Sequence, residues 1–177
     1  MIRKRLWVIA SMGFLVAFLL LSSFSAVKAT KPAPISFEEV MAGAPTVIMP
    51  LTPVGVNVRT VIQRAGSIEG DITGTYVGVY TLIFHKVTPG PEKMTTGEVD
   101  FTITGTYGEE SGVIYLHLSY KIVVAQYLPD PPVCTGNWVI TGGEGDLANL
   151  HGQGKFTIDY TLTPFARLFS GQAHFDP

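Results

Sequence analysis

Apolar and polar residues alternate along most of this chain. In EVDFTIT, residues 98–104, Val99, Phe101 and Ile103 fall on one side and Glu98, Asp100, Thr102 and Thr104 on the other. KFTIDYTL, residues 155–162, does the same with Phe156, Ile158, Tyr160 and Leu162, and VIYLHLSYKI sets Ile114, Leu116, Leu118, Tyr120 and Ile122 on one face. A period of two over this length predicts half-buried antiparallel strands. Candidate strands fall near 46–52, 56–64, 67–72, 75–87, 94–107, 111–125, 136–142, 153–163 and 169–175, separated by turn signals such as TPGPEK, YGEES and PDPP. Short links make sequence neighbours spatial neighbours. About eight such strands in a meander predict an all-β antiparallel barrel, which removes exposed edges; a two-sheet sandwich is the alternative.

One segment breaks the alternation. In SFEE, Ser36 and Glu39 have the spacing of a capping box, with Gly43 and Pro45 as a stop, so a short helix is expected there. Ahead of it, Arg3, Lys4 and Arg5 precede an apolar run, Leu6 to Leu21, and Val27 and Ala29 fit a cleavage site. The expected organisation is a signal peptide over 1–29, a lead with a short helix over 30–45, and a barrel over 46–177. The expected location is outside the cytoplasm, secreted or periplasmic, with an uncleaved anchor as the rival.

Charge narrows the partners. Of the 12 basic residues, Arg3, Lys4, Arg5 and Lys28 lie in the leader, while none of the 14 acidic ones does. That leaves eight basic against 14 acidic residues, a formal charge of −6 after cleavage. The remaining basic residues are scattered singly, so neither nucleic acid nor, after cleavage, a membrane surface is expected as a partner. Cys134 is the single cysteine, which excludes an intramolecular disulfide, and its place before an apolar strand predicts burial.

GEGDLANLHGQGKF, residues 143–156, raises the question of a phosphate loop. Such a loop needs a following helix whose N–H groups hold the anion, and here a strand pattern follows. The glycines are instead expected to permit bulges and positive φ, with Leu147 and Leu150 plugging one end of the core. This run, together with GSIEGDITGTYVGVY at 66–80 and the closing Y…G…HFD, resembles the allene oxide cyclase-like barrel group. It is most similar to small bacterial members with no assigned function. The resemblance covers about residues 46–176 and implies an eight-stranded antiparallel barrel with an apolar cavity, as in plant allene oxide cyclases and dirigent proteins.

Candidate chemistry is sparse. His85, His117, His151 and His174 have no chelating spacing, so no metal and no cofactor is expected. No G-x-S-x-G elbow is present. Glu69 and Asp71 form a carboxylate pair that is expected to face solvent. The aromatic residues Tyr80, Tyr120, Trp138 and Tyr160 are candidates for lining a cavity suited to a small apolar or aromatic ligand. The leading expectation is therefore a non-enzymatic binding module. A cyclase- or isomerase-type cavity enzyme and a filled structural barrel are the alternatives.

Overall fold

A computed structural model describes residues 30–85, 92–125, 134–159 and 166–177. Eight strands follow one another: β1 (Ala33–Val54), β2 (Asn57–Gly70), β3 (Ile72–His85), β4 (Glu92–Tyr107), β5 (Glu110–Ala125), β6 (Cys134–Gly145), β7 (Leu150–Asp159) and β8 (Ala166–Phe175). Each pairs antiparallel with the next, and β8 returns to β1, so the ring closes into a barrel. The seam runs from Ala33 opposite Ala173 to Val40 opposite Ala166. At its foot the Thr30 N–H donates to the Phe175 carbonyl at 3.0 Å.

The alternation predicted for β4 is observed: Val99, Phe101 and Ile103 are buried while Glu98, Asp100, Thr102 and Thr104 are exposed. Ile114, Leu116 and Leu118 of β5, with Trp138 and Ile140 of β6, continue the same inner face. Cys134 is fully buried there. The β6–β7 turn closes one end: Leu147 and Leu150 are both buried, as the sequence suggested.

Three expectations are corrected. Residues 33–54 form a strand, and no helix occurs among the described residues. The capping-box bonds lose to nonlocal partners: the Ser36 N–H donates to Asp71 Oδ2 at 2.6 Å, and Glu39 turns into the ring behind Ile35 and Phe37. The barrel unit accordingly starts at Ala33, ahead of residue 46. Candidate strands 56–64 and 67–72 are one strand, β2, running through Gly66.

The third correction concerns the glycine-rich run. Of its glycines, Gly145 alone has a positive φ, +69°, and turns the chain out of β6. Gly152 and Gly154 lie within β7, where a Cβ would strike the Trp138 ring or the β8 backbone. The same rule holds around the inner face. Tyr76 lies opposite Gly66, Phe101 opposite Gly78, Tyr120 opposite Gly97 and Gly136, and Phe156 opposite Gly136. A Cβ at Gly78 would sit 2.5 Å from the Phe101 ring, and one at Gly136 2.5 Å from that of Phe156. Each of these four rings is thus seated on a glycine across the strand, the arrangement by which aromatic side chains cover bare backbone in a sheet.

Candidate functional site

A carboxylate at an inner position of an apolar ring is expensive unless it is paired and hydrogen-bonded. Glu39 is placed there by the same alternation that buries Ile35 and Phe37, and it is fully buried. Its answer is on β8, where Arg167 stands directly opposite it in register and is 2 % exposed. Arg167 donates from a terminal guanidinium nitrogen to Glu39 Oε2 at 2.5 Å. The other carboxylate oxygen accepts from two residues of β3 that share a face four positions apart, the Tyr76 hydroxyl at 2.5 Å and the Tyr80 hydroxyl at 2.7 Å.

Four rings surround the guanidinium. Its central carbon lies 5.2 Å from the Phe156 centroid, 5.6 Å from Tyr80, and 5.9 Å from both Phe101 and Tyr120. Such a cage stabilises a cation withdrawn from water. One donor is left over: the Arg167 Nε is buried without a hydrogen-bond partner among the described residues.

The protonation states follow from this geometry. Burial, then the negative charge of Glu39, holds both the Tyr76 and Tyr80 hydroxyls well above the ordinary tyrosine range, although Arg167 partly offsets this for Tyr80. Burial works against the Arg167 charge, but Glu39, Tyr80 and Tyr120 together outweigh it and the guanidinium is held more firmly protonated than usual. Both phenols are therefore donors, and Glu39 is the acceptor for all three groups.

The cluster sits between two regions of different character. Toward the β6–β7 turn the interior is filled: Phe37 stacks on Phe169 at 4.4 Å and meets Trp138 edge-on at 5.5 Å. In the other direction, where β3, β5 and β7 end, the inner face carries Ile62, Leu82, Ile122 and Ile158, all only partly covered, and Phe84, which is exposed. Apolar side chains thus stand between the ion pair with its hydroxyls and that end of the ring. A groove of about 680 Å³ at the opposite end, lined by Lys31, Asp71, Tyr107 and Phe175, includes none of the cluster and is open to solvent.

Of the residues singled out from sequence, Tyr80 belongs to the cluster and Tyr120 lies over Arg167. Trp138 is packed in the filled region, its Nε1 donating to the carbonyls of Lys155 and Ser170, both at 3.2 Å. Tyr160 lies outside the described residues. Glu69 and Asp71 face outward. The histidines of β5, β7 and β8 are on the outer face, where His117 pairs with Asp100 at 2.8 Å and Asp176 lies 3.4 Å from His151 and 3.1 Å from His174. Among the described residues no group of three such side chains is placed to hold a metal ion. Sequence reading missed Glu39, which looked like a cap, and Arg167, which looked like one more scattered cation. The signal was present in ISFEE and RLFSG, each of which puts one charge of opposite sign at an inner position of an alternating strand.

No family model matches this chain, and no curated protein does. A solved structure does: a protein of unknown function from the DUF3224 family of Shewanella oneidensis MR-1 superposes with a TM-score of 0.59 at 12% identity, covering 83% of this chain and 99% of that one. At that identity the likeness is one of fold. The fold class is therefore all-β, eight antiparallel strands in a closed ring.

Proposed function

We propose that this chain is an exported, allene oxide cyclase-like binding barrel for a small lipophilic molecule that carries a hydrogen-bond acceptor. The observation that supports it is a caged Arg167 whose Nε has no hydrogen-bond partner among the described residues, with partly covered apolar side chains beyond it. A buried donor left unpaired is worth about 1–3 kcal/mol of lost stability, which an acceptor on a ligand recovers. Burial of the apolar body supplies the rest, at about 25 cal/mol per Å². A cyclase or isomerase would need a group free to exchange protons. Glu39 already accepts three hydrogen bonds, and both tyrosines are held protonated, so the cluster suits recognition better than catalysis. In the same reading residues 1–29 are a cleaved export signal, and N-terminal sequencing of the exported protein returns a chain starting near Thr30.

The test is a fluorescent polyene fatty acid and its methyl ester, titrated against the native protein. One saturable site is expected, with the acid bound more tightly than the ester. Tyr120→Ala, at the cage wall, should weaken binding while the protein stays folded. No saturable binding of either probe, together with no small molecule retained in native mass spectrometry of protein from its own source, would leave the filled structural barrel as the better account.

A further inference from the structure

β1 runs on past the end of β8, so one side of the β1–β2 hairpin is an edge, while β2 stays paired with β3 as far as Val58 opposite Phe84. β8 covers β1 only as far as Val40; beyond it, among the described residues, β1 pairs with β2 alone, through Val54 opposite Asn57. Val47, Ile48, Leu51, Val54 and Val56 are each more than half exposed. Successive strand residues point to opposite faces, so Val47 and Ile48 show that both faces of the ribbon are apolar. A protein partner covers one face of a ribbon, whereas a bilayer interface surrounds both.

Charge and hydrogen bonding agree with that distinction. No charged residue occurs from 40 to 58, and the next two charges are Arg59 and Arg64 at the hairpin's base, with no acidic residue until Glu69. Two hydroxyls at the hairpin are satisfied internally: Thr52 donates to the Pro50 carbonyl at 2.9 Å and Thr60 to that of Met49 at 2.8 Å. Pro45, Pro50 and Pro53 remove N–H groups from β1, which blunts strand addition by a second copy. We infer that the hairpin, residues 44–58, docks the protein onto an anionic lipid surface, with its apolar tip among the acyl chains and Arg59 at the headgroups. The formal charge of −6 argued against such a partner, but that is a whole-chain average, and this segment is locally positive. The inference stands apart from the ligand reading, although docking here brings the same end of the ring to the lipid.

Vesicle flotation tests it, using chains that differ only in the hairpin so that residues 1–29 contribute equally. Binding is expected to be stronger to phosphatidylcholine vesicles containing phosphatidylglycerol than to phosphatidylcholine alone, and weaker in high salt. The triple change Leu51→Ser, Val54→Ser and Val56→Ser should lower vesicle binding roughly tenfold or more, with an unchanged melting temperature because these side chains are exposed. Arg59→Gln should remove only the preference for anionic lipid. Equal flotation of wild type and triple variant would overturn the proposal. So would a triple variant that loses a dimer in sedimentation equilibrium while lipid binding stays the same.

Discussion

Glu39 and Arg167 are each withdrawn from water, so neither is neutral to the loss of the other. Glu39→Gln or Arg167→Met alone should destabilise the protein by about 3–5 kcal/mol in urea unfolding, because each leaves a buried charge unpaired. The double variant Glu39→Gln/Arg167→Met should be less destabilised than the sum, and the difference measures the coupling. The tyrosines add a dependence on pH. Their folded-state values are raised above the unfolded value of 10.0, so the native state keeps protons that the unfolded chain releases. Stability from this source is complete below pH 10.0 and falls as the pH rises above it. Tyr76→Phe should flatten that alkaline loss in denaturant titrations; an equal loss in wild type and variant would place its origin elsewhere.

At the scale of single strands, glycine and aromatic positions act as pairs. The atoms nearest a Cβ at Gly97 belong to the Tyr120 ring, the far end of a movable side chain, whereas the two nearest one at Gly154 belong to the β8 backbone. Gly97→Ala should therefore be mild and largely rescued by Tyr120→Leu, while Gly154→Val should cost about 1–3 kcal/mol with no such rescue. Thermal melts of the single and double variants separate the two cases. These pairs also explain what the sequence showed and what it hid. Val99, Phe101 and Ile103 declared β4 because burial on one face is a local pattern of period two. Gly66 looked like a break in β2 because its reasons, the Val40 carbonyl and the Tyr76 ring, lie on the two neighbouring strands. Ser36 and Glu39 looked like a helix start because their strand partners, Asp71 and Arg167, are distant in sequence. The positions of Tyr80 and Tyr120 on inner faces were therefore legible, while the ion pair beside them depends on ring closure.

Taken whole, the molecule is held together by a seam between its first and last strands, and this has a kinetic consequence. Glu39 and Arg167 are 128 residues apart, the farthest-separated side-chain pair in the cluster. Contacts of large sequence separation must bear the entropy of closing the chain before they return anything. The seam is then expected to be the last join, made after β2 to β7 have zipped in order, with both charges hydrated until it forms. Arg167→Met should accordingly speed unfolding while leaving the folding rate nearly unchanged, a φ-value near zero in stopped-flow measurements. A φ-value near one would show the ends meeting early, with the ring assembled around its ion pair. In the expected order, the charge pair acts as a latch: it adds little to the search for the fold and sets how long the closed ring persists.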